Sequence, residues 1–323
     1  MTVRINLGPY NALEKDTFFL IESQKTRPNG RSSSSEVNIE PLKITDIPAA
    51  MRKMGWSKSA ALMTRWLKSP AWKCPEAWKS GQTLPKGLYL PDEHCDDMTI
   101  KMSWLMQYPY AKKSAEELIR KRAFSPAGLR MIADRLKLLG WDGQNSYIFG
   151  RRNILDRPGM SARELEQYYQ NNYLAVGDNA VTHVLFDTID DVFGSLGTYN
   201  MKCAVIGTAF RDSDGKVYIE SEYVGVYVKD FYDFNNDDGS DQRLGFWTKD
   251  SILTRGGSAA AAINGMNVYS SKNVLKVADV PNSDFLAFRE TTGLGGDFVV
   301  FSDVDWVKIK STHLLPWEDA LNQ

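Results

Sequence analysis

Cysteine and histidine are scarce in this chain, and neither type is clustered. The 323 residues include three of each, and no Cys-x-x-Cys pair or His-Glu-x-x-His motif occurs. Disulfide frameworks and zinc sites need these residue types at short, regular spacings. The sequence therefore indicates a reduced protein without a zinc site.

Long apolar runs are also lacking. No stretch approaches the roughly 18 apolar residues that a membrane-spanning helix needs, and the N-terminus has no apolar segment typical of a signal peptide. We therefore expect no signal peptide and no transmembrane segment.

The sequence has no Gly-x-Ser-x-Gly elbow, no Walker A sequence and no protein-kinase motifs. These absences argue against an α/β-hydrolase, a P-loop nucleotide hydrolase and a protein kinase.

The charge of the chain is nearly balanced in total but not in its halves. Residues 1–160 hold 26 Lys and Arg against 16 Asp and Glu, a net +10, and residues 161–323 hold 13 against 24, a net −11. The halves can attract each other, or the basic half can approach an anionic partner. Because no Lys and Arg cluster with interleaved aromatic residues occurs, we expect no nucleic-acid partner.

The first half of the chain has helical patterns. Gly55 separates two short segments, and the second places Leu62 and Trp66 on one face. Ser125 begins a further helical pattern that ends at Gly140. Two other helix starts carry the Ser-x-x-Glu spacing of a capping box: Ser114 with Glu117, and Ser161 with Glu164.

After about residue 176 the composition changes to Val, Tyr, Phe, Gly and Asp, and short strand patterns recur. The strand candidates are residues 199–210, 217–232, 244–247, 267–277, 284–289, 298–302 and 306–311. Tight turns between short strands are typical of a curved antiparallel sheet or an open β-barrel. We therefore predict an α+β protein with an N-terminal extension (residues 1–42), a mainly helical domain (43–175) and an antiparallel β-rich domain (176–323).

Four tryptophans fall close together in the helical half: Trp56, Trp66, Trp72 and Trp78. Such a cluster can form a ligand surface. Large aromatic side chains gather more often in a packed core or at a partner interface. Both interpretations stay open on the sequence alone.

The strand predicted over residues 217–232 ends in acidic and aromatic residues. Its alternate positions share one face, and that face carries Val224, Val226, Val228, Asp230 and Tyr232. Asp233 joins them if the strand bends, which the following Asn-Asn-Asp-Asp-Gly sequence permits. Two close carboxylates can hold Mg²⁺ or divide into an acid and a base. The alternative is a hairpin end with solvated carboxylates.

Three segments carry a resemblance to a known family. Residues 47–66, 227–247 and 295–303 resemble an uncharacterised bacterial family that is often encoded beside type VI secretion genes. The pattern Asp230-x-Tyr232-Asp233 is in addition similar to the acidic signature of the colicin M-like bacteriocins. Their catalytic domain is an open β-barrel that uses Mg²⁺ to cleave lipid II between undecaprenol and pyrophosphate.

The resemblance implies roles for individual residues. Asp233 would be the principal catalytic carboxylate, Asp230 its metal-binding or electrostatic partner, and Tyr232 a positioning residue, with Mg²⁺ held by Asp230 and Asp233. The colicin M-like pattern continues with a His-Arg pair, where this chain has Gly239-Ser240. Arg243 would clamp the phosphate if an insertion is allowed, and no histidine lies between His183 and His313.

The function that the resemblance implies is that of an antibacterial effector acting on lipid II. Such a protein is made in the bacterial cytoplasm, exported, and acts in the periplasm of a target cell. Its partners would be lipid II, a cognate immunity protein and a secretion-apparatus component or chaperone. The absent histidine favours an alternative, a non-enzymatic adaptor or structural cargo of the secretion apparatus. Hydrolysis of another phosphoester is a third, weaker hypothesis.

Overall fold

The computed structural model of the chain describes residues 42–79, 90–150, 159–177, 190–236, 239, 241–253, 267–269 and 274–318. All of the predicted N-terminal extension except Leu42 lies outside these residues. Within them, no helix is both long enough and apolar enough to cross a membrane.

Helices lie mostly in the N-terminal half, as the periodicity predicts. The α-helices of the described residues are α1 (Ile47–Lys53), α2 (Ser57–Lys68), α3 (Glu76–Lys79), α4 (Met102–Leu105), α5 (Pro109–Glu117), α6 (Pro126–Leu138), α7 (Ala162–Tyr168), α8 (Asp191–Leu196) and α9 (Asn282–Thr292). Gly55 separates α1 from α2 with φ of 79°, a conformation that favours glycine.

Helix starts were predicted correctly where a side chain caps them. Ser125 accepts a hydrogen bond from the Gly128 amide at 3.2 Å and begins α6, and Ser161 and Glu164 form the predicted capping box of α7. The predicted box at Ser114 is wrong. Ser114 lies inside α5, and its hydroxyl donates to the Tyr110 carbonyl at 3.0 Å, because the helix already begins at Pro109.

A distant carboxylate caps helix α2. Trp56 at the N-cap position has no side chain that can accept a hydrogen bond from the first turn. Asp191 of α8 does so instead, accepting from the Ser59 amide at 2.8 Å and from the Lys58 amide at 3.1 Å. A buried carboxylate at a helix N-terminus satisfies otherwise unpaired amides and complements the helix dipole. This contact joins α2 to α8 near the cavity described below.

The strands of the described residues are β1 (Cys95–Asp96), β2 (Tyr147–Phe149), β3 (Gln170–Val176), β4 (Tyr199–Arg211), β5 (Val217–Tyr232), β6 (Arg243–Trp247), β7 (Asn267–Tyr269), β8 (Val274–Lys276), β9 (Ala278–Pro281), β10 (Phe298–Phe301) and β11 (Asp305–Leu314). Seven of them form one curled, half-barrel sheet in the order β1-β10-β5-β4-β2, with β11 also paired to β5 and β3 to β4. All of its pairings are antiparallel except that of β1 with β10. The predicted α+β class with a curved sheet is confirmed.

Strand β5 is the centre of the sheet and has the bounds that its alternation predicts. Its Val224, Val226 and Val228 are fully buried in the main core, which also contains Trp66 and Phe149. Helices and strands from both sides of the predicted 175/176 boundary contribute to this core. That boundary falls at the last two residues of β3, which pairs with β4.

The predicted strand over residues 284–289 is wrong, because these residues belong to helix α9. The helix follows Pro281 and ends at Gly293, whose φ of 68° is the left-handed conformation of a helix C-cap. The helical turn places Phe285 and Phe288 on one side, where both rings contact Trp66. The apolar residues at this spacing fit a helix packed on the core better than a strand.

The second face of β5 is buried as well and holds a charged cluster. Glu166 of α7 accepts hydrogen bonds from Lys202 at 2.6 Å, Lys229 at 3.1 Å and the Tyr227 hydroxyl at 3.0 Å. Burial opposes the ionisation of Glu166, but the two ammonium groups together hold the pKa of this carboxyl below its ordinary value. The cluster therefore links α7 to strands β4 and β5 of the sheet.

Candidate active site

A cavity of about 340 Å³ lies where the end of β5 meets α1, α2, α8 and β6. Its apolar wall contains Ile47, Met51, Trp56, Met63, Phe193, Phe231, Phe234, Leu244, Trp247, Ile252, Val280 and Phe285. Polar groups enter the wall from Ser195, Thr198, Asp230, Tyr232, Asp233, Gln242, Arg243 and Asn282. We call this space the Asp230 cavity. An apolar wall with a few convergent polar groups is typical of a small-molecule site.

Asp230 lies near the end of the central strand, opposite Val300 of β10, and stays partly exposed to the cavity. Burial raises the pKa of Asp230 well above its ordinary value. A backbone hydrogen bond at Phe231 lowers it, and the nearby charge of Asp233 raises it further. The carboxyl therefore retains its proton at a pH where an exposed aspartate is ionised.

Tyr232 is buried beside Asp230 at the end of the same face. Its ring stacks on Phe298 at 5.1 Å between centroids and meets Phe234 edge-on at 5.4 Å. Burial, and then the charge of Asp230, raise the pKa of Tyr232 above its ordinary value. Tyr232 is therefore a neutral phenol whose packing fixes the strand end.

Asp233 follows the last residue of β5 and also contributes to the cavity wall, as the predicted bend requires. Its Oδ1 lies 3.2 Å from the Lys79 Nζ and accepts hydrogen bonds from the Asn235 amide and side chain, both at 3.2 Å. Burial raises the pKa of Asp233 above its ordinary value; the Lys79 ammonium only partly opposes this shift, and the charge of Asp297 adds to it. The structure thus brings Asp230 and Asp233 to one wall in unlike environments.

Arg243 reaches the same wall but is held outward. Its guanidinium lies 2.6 Å from the Asp279 carboxylate, and its side chain is 67% exposed. Among the described residues Arg243 has no ion pair with Asp230 or Asp233. Arg243 therefore lies at the cavity wall and pairs with Asp279, and its role as a phosphate clamp stays a prediction.

Asn282 is a cavity residue that the sequence did not indicate. It is buried at 4% exposure, and its Oδ1 has no hydrogen-bond partner among the described residues. A buried polar atom without a partner costs free energy unless a ligand or water satisfies it. Asn282 follows β9 and begins α9, just before the predicted strand over residues 284–289, so no sequence pattern pointed to it.

A second group, the Asp297 network, is joined to Asp233 through the side chain of Asn235. The fully buried Asp297 carboxylate forms an ion pair with Arg289 and accepts from the Trp66 indole at 3.0 Å and from the Asn235 amide group at 2.8 Å. It also accepts from the Cys74 backbone amide at 2.9 Å. The network ties α2, the segment before α3, α9 and the end of β5 together.

The described residues contain no group of three or more His, Cys, Asp and Glu side chains placed to hold a metal ion. At Asp233 the Lys79 ammonium already pairs with the carboxylate, and burial raises the pKa of Asp230, which opposes the ionised form that a metal ion needs. This donor set does not favour Mg²⁺ as it stands. The Mg²⁺ site at Asp230 and Asp233 stays a prediction, and no chemical step below depends on it.

No histidine is among the described residues that line the cavity. The rings of His94 and Trp72 stack with their centroids 3.7 Å apart. His313 stacks on Phe124 and shares a 2.8 Å hydrogen bond with Ser311.

The four clustered tryptophans of the sequence lie in different environments. Trp66 is core, Trp56 meets Trp247 edge-on in the cavity wall, and Trp72 contacts Trp78.

Comparison with known families identifies the family to which the chain belongs. Residues 42–317 match a family of unknown function, DUF6402. The chain belongs to the DUF6402 family. This match includes every element that forms the Asp230 cavity of the DUF6402 chain. No curated protein and no solved structure matches the chain. The resemblance to the colicin M-like bacteriocins and the link to type VI secretion stay predictions.

Proposed function

We propose that the DUF6402 chain is an antibacterial effector that hydrolyses lipid II between undecaprenol and pyrophosphate in the Asp230 cavity. The observation that carries the proposal is the pairing of unlike carboxyl groups on one apolar wall. Burial raises the pKa of Asp230 well above its ordinary value, which favours its protonated form, whereas Asp233 lies against the Lys79 ammonium. Carboxyl groups in different environments can act as the acid and the base of one hydrolysis.

The chemical step follows from these states. A water molecule attacks phosphorus and transfers a proton to the Asp233 carboxylate. The bond between phosphorus and the undecaprenyl oxygen breaks, and this oxygen takes the proton of Asp230. Positioned acids and bases of this kind contribute about 10² to 10⁴ in rate. Tyr232, two residues after Asp230 in β5, stacks on Phe298 and so keeps the end of this strand in place.

The cavity wall supports a lipid-linked substrate. The aromatic and aliphatic side chains suit the first isoprene units of an undecaprenyl chain. Arg243 lies at the rim, where a pyrophosphate oxygen pair can replace the Asp279 carboxylate in a bidentate contact. Asn282 adds a buried polar atom that is ready for a hydrogen bond with the ligand.

Location and partners belong to the same proposal. The protein would be made in a bacterial cytoplasm, exported with help from a secretion-apparatus component or chaperone, and act in the periplasm of a target cell. A cognate immunity protein would protect the producing cell. Mg²⁺ held by Asp230 and Asp233 is part of this proposal through the resemblance alone, since the donor set at these residues does not favour it.

A non-enzymatic adaptor or structural cargo of a type VI apparatus is the second candidate. It is favoured by the ion pairs that already engage Asp233 and Arg243, and by the lack of histidine among the described wall residues. In that case the cavity would bind a ligand or partner segment without cleaving it.

One experiment separates the two candidates. Purified protein and its Asp230→Asn and Asp233→Asn variants are incubated with lipid II, with and without Mg²⁺, and the products are resolved by chromatography and mass spectrometry. Glu220→Gln is the matched control, because Glu220 is an exposed carboxylate on the same strand. We expect undecaprenol release from wild type and control, and a loss of about 100-fold or more in Asp230→Asn. Intact lipid II with folded wild type would support the adaptor instead.

A further inference from the structure

The side-chain oxygen of Asn282 is a buried acceptor that lacks a donor. Asn282 lines the Asp230 cavity, and its Oδ1 has no hydrogen-bond partner among the described residues. Both amide groups of this residue are in use: Nδ2 donates to the Asn235 carbonyl at 3.4 Å, and the backbone amide donates to the Gln242 carbonyl at 2.9 Å. Nearly all buried polar groups in native proteins are paired, so Oδ1 calls for a donor from outside the resting chain.

The Asn235 carbonyl decides which atom of the Asn282 side chain is left over. A carbonyl can only accept a hydrogen bond, so the nitrogen of Asn282 faces it and Oδ1 points elsewhere. The opposite orientation would place two oxygen atoms against each other. The group that completes Asn282 is therefore a hydrogen-bond donor, and a phosphate oxygen, which only accepts, does not qualify.

The wall residues nearest to Asn282 in the chain are apolar. Val280 lies two positions before it, and Phe285 lies three positions after it on the same side of α9. The rings of Phe285 and Phe234, both in the cavity wall, stack with their centroids 3.9 Å apart. A buried water needs about two to four polar partners, and carbon atoms supply none. A donor carried on an apolar body satisfies both Oδ1 and this wall.

Charge in the wall favours a neutral donor over an ammonium group. The Asp233 carboxylate is already paired with Lys79, and the Arg243 guanidinium is paired with Asp279. A cationic head at Asn282 would exchange its hydration for a neutral amide oxygen, and burial of an unpaired charge is costly. A hydroxyl group gives the same hydrogen bond without that cost.

We infer that the Asp230 cavity binds an alcohol with an apolar chain, whose hydroxyl donates to Asn282 Oδ1. The chain of the alcohol lies along the aromatic and aliphatic wall. The cavity volume of about 340 Å³ is within the range of small-molecule sites. Undecaprenol, the alcohol that the proposed hydrolysis releases, belongs to this class, and a role of Asn282 in holding that product rests on the proposed function. Binding of an alcohol at Asn282 does not.

Geraniol and geranyl methyl ether test the inference, because they share one prenyl chain and only the alcohol has a donor. Binding is followed by the fluorescence of Trp56 and Trp247, which lie in the cavity wall. Wild type should bind geraniol about fivefold to tenfold more tightly than the ether, the size expected for one hydrogen bond. Asn282→Ala should lose this preference. Thr291→Ala, at an exposed position of α9, should keep it.

The ratio of the two affinities is compared between proteins, because differences in ligand solubility cancel in it. Equal affinities in the wild type, binding of neither ligand, or an undiminished preference in folded Asn282→Ala would overturn the inference. The wild-type comparison decides by itself if this variant does not fold. Geranylamine should bind more weakly than geraniol, and tighter binding that depends on Asn282 would overturn the choice of an alcohol.

The binding test is independent of the hydrolysis test. A protein that prefers geraniol but leaves lipid II intact refutes the proposed function alone. A protein that hydrolyses lipid II without this preference refutes the inference alone.

Discussion

Lys79 Nζ lies 3.2 Å from Asp233 Oδ1, and this ion pair joins the end of helix α3 to the end of strand β5. The contact spans more than 150 positions of the chain. Burial raises the pKa of both Asp230 and Asp233, but only Asp233 has the Lys79 ammonium to oppose that shift. The proposed division into acid and base depends on this difference.

Replacement of Lys79 by methionine should raise the pKa of Asp233, because an opposite charge at this distance favours the ionised carboxylate. We expect the Asp233 midpoint to rise by about one pH unit or more in an NMR titration. Lys68→Met, at an exposed lysine of α2, is the control. A midpoint equal to that of wild type would show that Lys79 does not govern Asp233.

Asp230→Asn should make the protein more stable at neutral pH. The pKa of Asp230 is raised in the folded chain, so the folded state keeps a proton that the unfolded state loses. The wild type therefore loses stability as the pH rises from the unfolded value, near 4, through the folded value. The asparagine variant lacks this loss. Urea unfolding across the pH range should give curves that diverge with rising pH, and parallel curves would contradict the assignment.

Asp297→Ala should destabilise the fold severely, because it leaves the Arg289 guanidinium buried without its carboxylate and removes the acceptor for Trp66 and Asn235. Breaking a buried ion pair by removing one partner costs about 3–5 kcal/mol. Glu290→Ala, on the exposed side of α9, should change the free energy of unfolding by about 0.5 kcal/mol or less. Equal urea midpoints for the two variants would refute the bracing role of the network.

The buried cluster on the second face of β5 allows a graded comparison. Glu166→Gln leaves Lys202 and Lys229 without the anion they share, and should cost about 3–5 kcal/mol of unfolding free energy. Tyr227→Phe removes a single hydrogen bond to the same carboxylate and should cost about 1–3 kcal/mol. Denaturant unfolding distinguishes the two effects, and a larger loss in Tyr227→Phe would contradict this account.

Arg243→Ala should weaken substrate handling without weakening the fold. Its ion pair with Asp279 is largely exposed and should contribute about 1 kcal/mol or less to stability. If Arg243 clamps the pyrophosphate, KM for lipid II should rise, since Ala offers no bidentate contact. Asp279→Ala frees the guanidinium and should not raise KM. If Arg243→Ala is active and its KM equals that of the wild type, Arg243 does not bind the pyrophosphate.

Local patterns predicted much of the fold. The alternation over residues 217–232 gave the bounds of β5, and the Ser161 and Glu164 spacing gave the start of α7, because both depend on neighbours a few positions away. The strand predicted at residues 284–289 failed because a short apolar segment fits either period until its packing partner, here Trp66, is known.

The sequence by itself determined the curved sheet, its central strand and the acidic residues at the end of that strand. Only the tertiary structure decided which groups surround them. Lys79 meets Asp233, and Asp279 meets Arg243, through packing between segments that no local period relates. Burial and charge at a carboxylate come from these distant neighbours, so the chemistry of the site is a property of the folded chain.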